Sequence, residues 1–350
     1  MKTLIFLRFL GIILSCTVCP LSQTSFAAST ADPNANAKTR ALYNYLYNLP
    51  TGSSNRILSG QFTQDMSDTT GIYNTSGKNV AILGVEYEWS RPPNTNISNW
   101  ANSGGVIALS AHLKNPATGG TAFDTTNVDL PQVVTPGTAL NTAYNHDLDG
   151  LAAWIQSFGD TPMLFRTLHE MADGTWFWWG VKGGTQYTAL WRYTFDYLTT
   201  AKGLHNLIWT WAPNAVFDWS YYPGSSYVDI VGLDLYGQGN SFSQPSGYSS
   251  IPDNKPFAIA EWGECPGGIT WTPSACIPPS ISSSLMSTLK NAMPKAIYML
   301  AWNGVYSLNY ATNVSTYLND AWIITRDEVP TITGIIDTTP PAAPRGVRVP

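Results

Sequence analysis

The chain of 350 residues carries a net charge of -5, and only 12% of its residues are charged against 13% aromatic, including 14 Trp and 18 Tyr. That balance lacks the basic footprint a nucleic-acid partner needs. Aromatic excess with little charge suits a surface that stacks on a neutral ligand.

In chain order, residues 1–28 read first as an export signal. Lys2 and Arg8 carry positive charge around the apolar run of Leu4, Ile5, Phe6, Leu7 and the stretch 9–18, and the small residues Ser25 and Ala27 follow. This pattern is cut near Ala27 or Ala28. Because Arg8 interrupts the run, what remains uncharged is short for a bilayer span, so a secreted chain is expected. Lipid attachment at Cys16, which follows Ile13, Leu14 and Ser15, would instead hold the chain at the cell surface; no other membrane association is expected. About 320 residues remain after the signal, a normal length for a barrel of roughly 250 residues with insertions.

Eight short apolar runs then recur, at 56–62, 80–89, 105–113, 163–170, 207–211, 228–236, 256–262 and 295–302. They are rich in β-branched residues and bounded by turn residues, as buried parallel strands are. Between them, 140–158, 186–202, 281–293 and 314–321 have helical periodicity. Eight such strands predict an α/β fold, a closed (β/α)8 TIM barrel forming a single catalytic domain over 32–336, rather than an open doubly wound sheet. Nearly every strand ends in polar or aromatic residues: Gln61, Glu86 and Glu88, His112, His169 and Glu170, Trp211 and Asn214, Asp234 and Tyr236, Glu261, then Trp302 and Asn303. In a barrel these ends converge on one face.

After the seventh strand, Cys265 and Cys276 enclose a loop rich in Gly and Pro. In an exported chain so close a pair reads as a disulfide rather than a metal site. Residues 337–350, with Pro340, Pro341 and Pro344, have a linker composition and resemble the lead-in to a fibronectin type III module.

Cleavage of a glycosidic bond with retention needs one carboxyl to protonate the leaving oxygen and a second, about 5 to 5.5 Å away, to attack the anomeric carbon. Glu170, in Phe165-Arg166-Thr167-Leu168-His169-Glu170-Met171, and Glu261, in Phe257-Ala258-Ile259-Ala260-Glu261-Trp262-Gly263, each end an apolar strand. Burying a carboxylate there without a purpose is costly. Either alone could be a salt-bridged barrel residue; as a pair on the fourth and seventh strands they point to chemistry.

His169-Glu170-Met171, followed by Gly174 and Trp176-Phe177-Trp178-Trp179-Gly180, resembles the acid/base segment of family-26 glycoside hydrolases, mainly β-mannanases of the retaining (β/α)8 clan. The resemblance extends through Ile57-Leu58-Ser59-Gly60-Gln61, His112 with Asn115-Pro116, Trp209 to Asn214, Gly232-Leu233-Asp234-Leu235-Tyr236 and Ala301-Trp302-Asn303. It implies that Glu170 is the acid/base and Glu261 the nucleophile. Two departures border the cleft: Glu86 stands where family members often have Asp, and the stretch from Ala172 to Thr175 is one residue longer than usual.

The mechanism suggests roles for the neighbours. Tyr236 would donate a hydrogen bond to Glu261, and Trp302 and Trp176 would be stacking platforms for sugar rings, at the cleavage point and on the leaving-group side. A Trp-Phe-Trp-Trp run cannot turn every ring into the cleft, so Trp178 and Trp179 read as packing. His112 and His169 read as sugar-hydroxyl and carboxylate contacts, with a structural His112 equally open. Asp234 either binds substrate or orients Arg166 or His169. No third ligand clusters with either histidine in sequence, so neither a metal nor a cofactor is expected. A monomer is expected, and the resemblance implies a retaining endo-β-1,4-mannanase acting on mannan, glucomannan or galactomannan. Its rivals are a β-1,3-xylanase or mixed-linkage β-glucanase of the same fold, and a non-catalytic carbohydrate-binding protein, which would not need both glutamates.

Overall fold

The computed structural model describes residues 28–50, 55–88, 91–172, 175–180, 182–237, 243–264, 281 and 283–331. The expected signal, the Cys265 and Cys276 pair, the Pro-rich tail and part of the lengthened stretch before Trp176 lie outside the described residues.

Eight strands form the ring: β1 (Ile57–Phe62), β2 (Ile82–Glu86), β3 (Val106–Ala111), β4 (Met163–Thr167), β5 (Leu207–Trp211), β6 (Ile230–Gly237), β7 (Phe257–Glu264) and β8 (Ala296–Ala301). Each pairs in parallel with the next, and β1 pairs with both β2 and β8, which closes the barrel. A two-residue strand, β9 (Ile323–Ile324), adds in parallel to β1 outside the ring.

The strands read as continuous apolar runs because both faces are covered. Leu58, Ile82, Ala108, Leu164, Ile208, Ile230, Ala258 and Leu300, one from each strand in turn, form a cluster inside the ring. Their neighbours Leu83, Ile107, Phe165, Trp209, Val231 and Ile259 point outward into a second cluster shared with the helices. Leu42, Tyr43 and Leu46 add to the inner cluster from α1 (Ala37–Asn48), whose start is capped by the Asn36 side chain accepting from the Thr39 N–H. Tyr43 donates to the carbonyl of Asp229, just before β6, so α1 lies across the N-terminal end of the barrel, away from the strand ends that carry polar groups.

The outer helices are α2 (Ser67–Ser76), α3 (Asn94–Asn102), α4 (Leu130–Val133), α5 (Ala139–Gln156), α6 (Gly184–Asp196), α7 (Ser283–Ala292) and α8 (Val314–Leu318). The periodicity at 140–158, 186–202, 281–293 and 314–321 corresponds to α5 to α8, with α6 running into a π-helical turn at Tyr197–Ala201. Among the described residues, β5 to β6 and β6 to β7 are joined by short 3-10 turns instead of α-helices. The fourth predicted strand is too long: β4 stops at Thr167, because Leu168 and Glu170 both take positive φ, 48° and 54°, which no strand accommodates.

Candidate active site

Strand alternation explains which side chains enter the barrel. Leu164 is inside, so Arg166, two residues on, is inside as well; the same step from Ile82 leads through Gly84 to Glu86, from Ala108 through Ser110 to His112, and from Ile230 through Gly232 to Asp234 and Tyr236. β7 departs from this rhythm. Leu233 pairs with Ile259 but Asp234 pairs with Glu261, so Ala260 is an extra residue on that strand. Such a bulge re-aims the following side chain; here it sets Glu261 beside Asp234 on the inner face.

Arg166 is the hub. It donates to Asp234 Oδ2 at 2.6 Å, to Ser110 Oγ at 2.9 Å and to Glu261 Oε1, and lies 4.0 Å from Glu86 Oε1. Burial alone would lower its pKa, but Asp234, Glu261 and Glu86 more than reverse this, so the guanidinium stays charged. One cation facing three carboxylates leaves excess negative charge. Burial pushes Asp234 well above the usual carboxylate range, with Arg166 opposing and Glu261, Glu170 and Glu86 reinforcing.

Glu261, 5% exposed, is held from both sides, since Tyr236 donates its hydroxyl to Oε2 at 2.6 Å. This is the hydrogen bond expected of Tyr236. Burial and the negative Glu261 raise the tyrosine pKa, so it remains a donor.

Glu170, 9% exposed, sits three residues beyond β4 in a turn whose backbone is fastened at each residue. Leu168 O accepts from the Tyr187 hydroxyl at 2.8 Å, His169 O from Trp179 Nε1 at 2.8 Å, and the Glu170 N–H donates to Ala212 O at 2.9 Å. Left-handed non-glycine residues cost on the order of 1–3 kcal/mol each and persist where the surroundings over-determine them. Trp179 is thus fully buried, as a packing role predicts, and also anchors the turn. Trp176 Nε1 donates to Glu170 Oε2 at 2.7 Å while the indole stays 38% exposed, so it touches the carboxyl and faces the open cleft together.

His112 Nδ1 lies 2.6 Å from Glu86 Oε2, and its backbone N–H donates to Glu88 Oε2 at 2.7 Å. The His112 ring meets His169 edge-on at 4.7 Å. His169 is neutral: burial first, then Arg166 and His112, hold its pKa well below 6.5. Trp302 is partly buried, with its ring 4.8 Å from Phe62, and Phe62 lies beneath Arg166. Asp234 is fully buried against Arg166, which favours the orienting reading over contact with sugar.

Residues that do not cluster with His169 in sequence do so in space. The fold brings possible donor atoms of His169, Asp234 and Glu261 within 4.8 Å of one another, from three separate strand ends. Arg166 already binds one oxygen of each carboxylate, Asp234 Oδ2 and Glu261 Oε1, while His169 Nδ1 and Asp234 Oδ1 have no hydrogen-bond partner among the described residues.

Arg166 joins the site although sequence named it only as a possible partner of Asp234, and Glu86 although it was given no role beyond a polar strand end and a departure from the family pattern. The two-residue step along β4 and β2 is the signal that finds them. Phe123, 46% exposed and stacked at 22° to His112, comes from the long segment after β3, where no periodicity marks it.

A closed parallel barrel with buried carboxyls at the ends of β4 and β7, and aromatic rings beside them, defines a glycoside hydrolase. Residues 31–328 match the model of Glycosyl hydrolase family 26; the chain belongs to this family. It is 32% identical to a mannan endo-1,4-beta-mannosidase of Bacillus subtilis strain 168 over 91% of this chain and 93% of that one. The solved structure of the Bacillus subtilis mannanase BCman superimposes with a TM-score of 0.77 at 31% identity, covering 89% of this chain and 100% of that chain. A modular endo-beta-1,4-mannanase from Cellulomonas fimi gives 0.70 at 25% identity, over 90% and 81% of the two chains.

Proposed function

We infer that the chain is a retaining endo-β-1,4-mannanase acting on mannan, glucomannan or galactomannan. The observation that carries the reading is the different anchoring of the two glutamates. Glu261 is clamped by Arg166 and Tyr236 with both oxygens engaged, as suits a nucleophile held at a fixed angle. Glu170 stands on a fixed turn beside a partly exposed Trp176, as suits a group that exchanges protons with a leaving oxygen and then with water.

In the first step a Glu261 oxygen attacks the anomeric carbon while Glu170 gives its proton to the departing glycosidic oxygen. The bond to the leaving sugar breaks and a glycosyl ester to Glu261 forms. In the second, Glu170 takes a proton from water as that water attacks the same carbon and frees Glu261. Arg166 and Tyr236 stabilise the carboxylate as it leaves. Trp302 is the platform under the sugar at the cleavage point and Trp176 the one beyond it, with His112 and His169 on substrate hydroxyls. The pattern of residues 1–28 supports export to the medium, with attachment through Cys16 as the route to a cell-surface form, and the enzyme acts as a monomer.

Reducing-sugar release from mannan, galactomannan, β-1,3-xylan and lichenan tests the substrate. Mannan and galactomannan should be cut with a rapid fall in viscosity; cleavage of xylan or lichenan alone would replace the assignment. Glu261→Ala should lose turnover on polymer and regain part of it with azide, whereas retained activity without azide would remove Glu261 from the role.

A further inference from the structure

We propose that a groove on the outer flank of the barrel, between α2 and α3, is a second binding site for the neutral polysaccharide that the catalytic cleft cuts; the sugar class rests on the function proposed above. A cavity of about 450 Å³ opens there, lined by Tyr73 from α2, by Asn96, Asn99 and Trp100 from α3, by Asn79 and by Arg326. Its volume lies within the range of small-ligand pockets. Asn79 precedes β2 and its carbonyl accepts the Arg326 N–H at 3.0 Å, so the groove reaches toward the N-terminal end of the barrel. Glu170 and Glu261 are not among its walls.

The lining has the chemistry of a sugar site without the chemistry of cleavage. Tyr73 leaves half of its surface, 50%, in solvent, and an exposed ring face stacks on the apolar face of a pyranose. Three amides and neighbouring hydroxyls offer both donors and acceptors. Among the described residues no carboxylate lines the cavity, so the pair of carboxyls that cleavage uses is not found there. The single cation, Arg326, lies over the Trp100 ring at 4.5 Å, a spread charge better suited to hydroxyl oxygens than to holding a polyanion. Trp100, only 4% exposed, keeps an indole N–H with no acceptor among the described residues. A groove held on the same rigid ring as the cleft would keep a polymer chain near the enzyme between cuts and raise its effective concentration.

The test is adsorption to insoluble mannan by the Glu261→Ala protein, with and without Tyr73→Ala and Asn99→Ala, paired with hydrolysis of mannohexaose by the same substitutions in the active enzyme. Loss of one stacked ring and one amide should weaken adsorption about three- to tenfold, while kcat/KM on the hexamer stays within about twofold and Tyr73→Trp restores adsorption. Unchanged adsorption would overturn the proposal. So would an equal fall on the hexamer, which would trace the effect to the cleft. Failure of the parent enzyme to cut the hexamer or any mannan would instead overturn the functional reading, and leaves the adsorption comparison intact.

Discussion

Tyr236 and Arg166 divide the two oxygens of Glu261 between them, so removing one donor frees the carboxylate to turn without emptying the site. Tyr236→Phe should lower kcat about a hundredfold on mannohexaose with little change in KM, the pattern of a contact that matters most in the transition state. A rise in KM with kcat preserved would make Tyr236 a sugar contact instead. Glu88 supports a prediction of another kind. Burial first, then Asp147, push its carboxyl from 4.5 up to about 9, while the His112 N–H opposes the shift. The folded chain therefore holds a proton that the unfolded chain releases, and the sign follows: this contribution to stability is complete below pH 4.5 and fades as pH climbs toward 9. One such proton gives a slope of at most about 1.4 kcal/mol per pH unit, less because Glu88 is partly solvated. Glu88→Gln keeps an acceptor for His112 and removes the titration. Its melting temperature should decline less than the wild type's between about pH 5 and pH 9, and parallel profiles would show that Glu88 ionises freely.

At the level of the elements, the strands were legible because they are buried on both faces over most of their described length, and a short, mainly apolar run has few other uses in this chain. The helices α2, Ser-Asp-Thr-Thr-Gly-Ile-Tyr-Asn-Thr-Ser, and α3, Asn-Thr-Asn-Ile-Ser-Asn-Trp-Ala-Asn, were not legible. Each buries little, and helices so polar are held by the sheet they pack on rather than by their own periodicity. The extra residue Ala260 in β7 was equally hidden, since a bulge is set by pairing with β6 and leaves no mark in composition. Glu261 was readable as a strand-end carboxylate; its direction was not. The inner face of β2 is as tightly determined. A Cβ at Gly84 would stand 2.6 Å from the Phe62 ring, and Phe62 supports Trp302. Gly84→Ala should therefore cost about 1–3 kcal/mol by overpacking, read by chemical denaturation, and should raise KM through the displaced Trp302. An unchanged KM would mean that Phe62 yields without moving the tryptophan.

For the whole molecule, composition and site tell the same story about charge. The contacts of Arg166 with Asp234 and Glu261 are almost entirely shielded, whereas pairs such as Lys38 with Asp160 and Lys202 with Asp149 are open to water. Exposed pairs contribute little and salt screens them, while buried ones are screened far less. With a net charge of -5 spread over 350 residues, and a substrate that carries none, there is no field to steer encounter. The initial rate on soluble galactomannan should therefore change by less than about twofold between roughly 20 mM and 500 mM NaCl, although the Debye length contracts several-fold over that range. A steep fall with salt would require a charged substrate or an electrostatic partner, and would count against the neutral-polymer reading of both the cleft and the groove between α2 and α3.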